Sequence, residues 1–127
     1  MNNKITATIS LLLFMVFCTG CPRVDKYYTF KTPEITVDYQ EQTVTFELDE
    51  KKEILFNLAY AITDDSTFYA HENGNNDYIT GEWFKIDKKG NDIFVWVSEN
   101  DKKTKRNLKI ECDGTFIQPV ELHQLPK

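Results

Sequence analysis

The strict alternation from Asn91 to Val97 constrains this chain more than any other feature. Ile93, Val95 and Val97 are aliphatic, and Phe94 and Trp96 stand between them. Successive side chains of an extended strand point to opposite faces, so a period of two marks a strand with one buried face. Leu108, Ile110 and Cys112 alternate in the same way with Lys109 and Glu111. Val44, Phe46 and Leu48 alternate with Thr43, Thr45 and Glu47.

The rest of the chain fits the same pattern. Glu34–Tyr39 reads as a first strand, rich in β-formers. Glu53–Ile62 carries Ile54, Phe56, Leu58, Tyr60 and Ile62 at period two, and it also fits a helix. Strand is preferred because its neighbours are strands and because Phe, Tyr and Ile favour sheet. Thr67–Ala70, Tyr78-Ile79 and Trp83–Ile86 are short strands around the polar loop His71–Asp77. Lys88–Asn91 is a turn, with Gly90 placed where a positive φ is needed. Asp113-Gly114 signals a two-residue hairpin. The last strand carries Phe116, Ile117, Val120 and Leu122, with Pro119 marking an edge or bulge. About seven short strands, with turn signals roughly every 8–12 residues, imply an all-β sandwich.

Upstream lies an address. Lys4 precedes the apolar run Ile5–Phe17. That run is shorter than the ~20 residues of a membrane span and suits a secretory signal. Cys18-Thr-Gly-Cys21 follows and resembles a bacterial lipobox, with Cys18 where Leu is usual. The resemblance implies that residues 1–20 are removed and that Cys21 is acylated, palmitate included, and anchors the protein in membrane lipid. An ordinary cleaved signal is the alternative. Several acyl chains hold where one would not, at about 0.8 kcal/mol per buried methylene. The expected location is the bacterial envelope, anchored at the outer membrane on its surface or periplasmic face. With Cys18 removed and Cys21 acylated, Cys112 has no cysteine partner. A net charge of −5 argues against nucleic acid as a partner. Residues 21–32 read as a tether in which Tyr27, Tyr28 and Phe30 are free to pack on the domain.

Trp83 opens a strand, Val95 and Val97 share the next, Asn100 follows, Arg106 heads a third and Gln124 ends the last. This series resembles the BACON domain over roughly residues 33–124. The resemblance implies an immunoglobulin-like β-sandwich over residues 33–127, of the kind found on bacterial surface proteins of the gut. It also implies either binding of carbohydrate such as mucin glycans or a spacer role. The sequence departs from the family in lacking an earlier Trp near Ala59–Ile62 and in the longer stretch Asp64–Asp77.

Phe94 and Trp96 are the foremost candidate site. If the aliphatic residues face inward, these two rings face outward ~6.5–7 Å apart, a spacing suited to sugar rings or to an apolar partner patch. Lys109 and Glu111 would supply hydrogen bonds if their strand lies alongside. Alternatively the aromatics are core, or the tether aromatics cover them. Trp83 reads as structural near a sheet edge, with a glycan role possible together with Tyr69 and Tyr78. Glu72, Asn73, Asn75, Asn76 and Asp77 lack the spacing of a calcium loop. His71 and His123 are far apart without a His-x-Glu or Cys-x-x-Cys partner, so no metal site is expected. Cys112 reads as a buried apolar residue. No catalytic constellation and no cofactor motif stands out. The expected function is that of a membrane-anchored, non-catalytic binding module for a glycan. The alternative is an accessory envelope lipoprotein that holds a protein partner.

Overall fold

The computed structural model describes residues 27–70, 76–114 and 116–127. The apolar leader, Cys18, Cys21, His71, Glu72, Asn73 and Asn75 lie outside the described residues. Nine strands are present among those described. They are β1 Glu34–Val37, β2 Gln42–Glu47, β3 Phe56–Ile62, β4 Thr67–Tyr69, β5 Tyr78–Thr80, β6 Phe84–Lys89, β7 Asp92–Val97, β8 Arg106–Gly114 and β9 Val120–Gln124. They form two sheets, ordered β1-β9-β8-β3-β4 and β2-β7-β6-β5. All neighbours are antiparallel except β1, which lies parallel to β9. The protein is an all-β, immunoglobulin-like sandwich, as its alternation implies.

The core lies between the sheets. Val44, Phe46, Phe84, Ile86, Ile93, Val95 and Val97 from one sheet meet Phe56, Leu58, Ala61, Leu108, Ile110, Val120 and Leu122 from the other. Each fully buried Leu, Ile or Phe contributes about 1.5–3 kcal/mol of transfer free energy, so this layer is the dominant favourable term. Phe30, in the stretch read as tether, bridges Leu48 and is only 3% exposed. Tyr28 bridges Ile117 and packs on the core, so Tyr28 and Phe30 are built into the sandwich.

Three local expectations are corrected. Within 53–62 the strand covers only Phe56–Ile62, and its alternation breaks. The register with β8 shifts between Leu58 and Tyr60. Phe56 and Leu58 face the core, Ala61 replaces Tyr60 there, and Ile62 turns outward. One extra residue in a ladder reverses every side chain beyond it. Asp113-Gly114 is not a hairpin turn, because both residues stay in β8 opposite Asn57 and Phe56. A Cβ on Gly114 would sit 3.2 Å from the Leu55 carbonyl at φ +143°, so glycine serves close backbone approach here. The last strand therefore starts at Val120, leaving Phe116 exposed at φ +41° and Ile117 buried before it. The strand before Gly90 runs through Lys89, and Gly90 has the expected positive φ of 59°.

Candidate functional site

The residues that open and close the C-terminal strands meet at one end of the sandwich. Gln124 and Asn100 are the buried polar residues there, each 0% exposed. Gln124 Nε2 donates to the Ser98 carbonyl at 2.9 Å and lies 3.2 Å from that of Tyr39. Gln124 Oε1 accepts from Arg106 Nη1 at 3.1 Å. Arg106 also reaches the carbonyls of Ser98 and Glu99 at 3.1 and 3.2 Å. Its guanidinium lies over the Trp83 ring at 5.0 Å. Asn100 Nδ2 donates to the Thr104 carbonyl at 2.9 Å, and its own N–H bonds Tyr39. Burial pulls the Arg106 pKa below the usual guanidinium value, while Asp101 pulls it back up. Trp83 stands edge-on to Phe84, with ring centroids 5.1 Å apart. These groups therefore spend their polarity on one another and on loop backbone, which makes this knot a clasp between the sheets. Their spacing along the chain does not reveal this mutual bonding.

Phe94 and Trp96 lie elsewhere, on the outer face of β2-β7-β6-β5. Ile93, Val95 and Val97 are fully buried, whereas the two aromatics are half-buried. The alternative that they form the core is therefore excluded. Cross-strand register builds two rows around them. Trp96 lies between Thr43 and Lys85, and Phe94 between Thr45 and Asp87. Tyr78 faces Asp87 in the next strand and extends the Phe94 row. Lys85 Nζ is 5.3 Å from the Trp96 ring, and Lys89 Nζ is 5.9 Å from that of Phe94. The result is an open face with π surfaces at its centre and hydroxyl, carboxylate and ammonium groups beside them.

The structure separates other residues from this face. Lys109 and Glu111 sit on β8, which belongs to the opposite sheet, so they cannot flank Phe94 and Trp96. Lys109 instead pairs with Glu111 at 3.3 Å. Tyr69 is also on that opposite sheet, tilted against Tyr60 with ring centroids 5.9 Å apart. Trp83 walls a cleft of about 290 Å³ lined also by Asp64, Ser66, Phe68, Glu82 and Lys105. Of the candidate aromatics, only Tyr78 shares a face with Phe94 and Trp96.

Cys112 faces inward beside Leu58 and packs on the core, as its alternation implies. Burial pushes its thiol up to about 12, with Glu111 adding to the rise and Lys88 opposing it. A thiol so placed is not a nucleophile at neutral pH. The sequence reading missed a cluster of Glu34, Glu121 and His123 on β1 and β9. Its one local signal was Glu121-Leu-His123, where two ligand-bearing side chains share a strand face.

The fold and these sites define an immunoglobulin-like sandwich with an aromatic sheet face and a polar clasp. No family model matches the chain, and no curated protein matches it. Among solved structures, it is similar to a protein from Bacteroides thetaiotaomicron determined by NMR. The TM-score is 0.66 at 12% identity, over 84% of this chain and 93% of that one. It also aligns with the twitchin kinase region of C. elegans at TM-score 0.47 and 11% identity, over 84% of this chain and 17% of that one. At such identities the Bacteroides likeness speaks to the fold alone.

Proposed function

We propose that this protein is a BACON-like lipoprotein of the bacterial envelope, anchored through acylated Cys21, whose sandwich is a non-catalytic glycan-binding module. The observation that carries this reading is the outward placement of Phe94 and Trp96 at the centre of one sheet. Aromatic faces stack on the C–H faces of sugar rings, and Thr43, Thr45, Lys85, Asp87 and Tyr78 offer donors and acceptors to hydroxyls around them. Lys85 is exposed, and the long stem of a lysine lets its ammonium swing from the Trp96 ring to the edge of a stacked sugar. The inward thiol of Cys112 is not available as a nucleophile. Screening the protein against mucin O-glycans, with Trp96→Ala alongside, tests it. Saturable binding lost in the variant supports the platform, and equal binding by both proteins refutes it.

A second reading, capture of a protein partner, is favoured by a different observation. Leu55 is 92% exposed, Phe116 52% and Tyr27 55%. Leu55 precedes β3 and Phe116 follows β8, so both lie at the end of the sandwich where the N-terminal segment enters. Binding that is lost in Leu55→Ser and Phe116→Ser but kept in Trp96→Ala would select this reading.

A further inference from the structure

We infer that Glu34, Glu121 and His123 form a binding site for one divalent transition-metal ion of the zinc class, fastening edge strand β1 to β9. The ligand atoms of the three side chains all lie within 4.8 Å of one another. His123 Nε2 is 2.9 Å from Glu34 Oε1 and 3.7 Å from Glu121 Oε2. Two ligands of one tetrahedral zinc, each about 2.0–2.1 Å from the metal, lie roughly 3.3 Å apart. The two observed separations bracket that value.

The protonation of the histidine follows from the residues behind it. Asn107 Nδ2 donates to Asp64 Oδ1 at 3.1 Å. An ionised carboxylate can only accept, so the amide orientation is fixed and its oxygen faces the imidazole. His123 Nδ1 lies 2.7 Å from that oxygen and must carry the hydrogen of the bond. Nε2 is therefore the nitrogen left for the carboxylates, where it bonds Glu34 Oε1 at 2.9 Å, and a metal ion would take the place of the shared proton. Metal-binding histidines are held in this way, with the far nitrogen donating to a fixed acceptor that sets tautomer and ring plane.

The register adds to this, with His123, among the described residues, as the one cation-capable side chain set against both carboxylates. Glu34 and Glu121 are direct neighbours across the parallel β1–β9 pair. Like charges side by side destabilise a sheet unless a cation lies between them. The nearest lysine in the register is Lys109, opposite Glu121 on β8, and its ammonium is engaged by Glu111 at 3.3 Å. A divalent ion would balance two carboxylates and use the Nε2 lone pair. The mixed nitrogen and oxygen donors suit zinc rather than calcium or magnesium, which prefer all-oxygen shells.

Calorimetric titration of Zn²⁺ into the detergent-solubilised full chain, carrying Cys18→Ser and Cys21→Ser to remove competing thiols, tests the site. One Zn²⁺ per chain is expected. Glu34→Gln, on the exposed edge strand, should weaken binding at least about tenfold. Asn107→Ala, which touches no metal, should weaken it by roughly 10–100-fold, as loss of an orienting partner does. His123→Ala should abolish it. Should that variant fail to fold, nitrogen NMR of the parent chain carries the test. Zn²⁺ should move the His123 Nε2 resonance and leave Nδ1 protonated. No binding would overturn the site and leave a plain histidine–carboxylate contact. Binding that moves only His71, or that Glu34→Gln leaves unchanged, would overturn it as well.

Discussion

Arg106 and Gln124 join β8 to β9 where the two sheets close, Nη1 to Oε1 at 3.1 Å, with Gln124 wholly buried. Gln124→Leu keeps the volume but strips both the acceptor for Arg106 and the donor to Ser98 and Tyr39. Buried groups left without partners cost about 1–3 kcal/mol each. A loss of roughly 2–4 kcal/mol is expected in urea unfolding, with an unchanged m-value. Arg106→Lys should cost about 1–2 kcal/mol, because an ammonium cannot satisfy the same fan of acceptors while stacking on Trp83.

How much of this was legible beforehand depends on range. Alternation within β7 placed Ile93, Val95 and Val97 inside and Phe94 and Trp96 outside, because side-chain direction is a local property of a strand. It could not place Lys109, because alternation fixes which face a residue takes and not which strand lies next to it. The bulge after Leu58 was invisible for a related reason. The extra residue pays off in pairing with β8, more than 45 residues away in the chain, and the local composition continues to read as regular strand. Gly114 looked like a turn because Asp-Gly usually is one, yet here glycine admits the backbone of Leu55. The Glu34–His123 contact spans 89 residues and joins edge strand to last strand, so only topology reveals it.

The thiol of Cys112 gives a pH dependence of definite sign. Its pKa is about 12 in the folded protein, against about 8.5 in an unfolded chain. Between those values the unfolded chain has shed the proton and the folded one has kept it, so stability falls as pH rises. Below about pH 8 the contribution is fully present. The expected slope is at most about 1.4 kcal/mol per pH unit across the window. Denaturation midpoints of parent and Cys112→Ala should converge as pH climbs from 8 to 11, cancelling the titration of other groups. Parallel curves would contradict the inward-facing, partly buried thiol.

Two glycines should respond differently to alanine. At Gly81 a Cβ would lie 2.1 Å from the Phe84 ring, which is locked in the core. Overpacking of this kind costs about 1–3 kcal/mol. At Gly90 there is open space, and the cost is the positive φ alone, about 1 kcal/mol. Thermal unfolding of Gly81→Ala and Gly90→Ala should show the first as the less stable protein.

Cys21→Ala should abolish lipid attachment and release the protein from the membrane fraction, read by metabolic palmitate labelling and fractionation. Continued labelling of the variant would contradict the anchor.

The central claim is that the outer face of β2-β7-β6-β5 binds glycan through Trp96. The most direct measurement is the affinity of the purified protein for mucin O-glycans, compared with Trp96→Ala and with its unfolding free energy. Binding should fall by roughly tenfold, the loss of one aromatic stacking contact, while stability changes by less than about 1.5 kcal/mol. Unchanged binding, or a stability loss above ~3 kcal/mol typical of a truncated core aromatic, would contradict it.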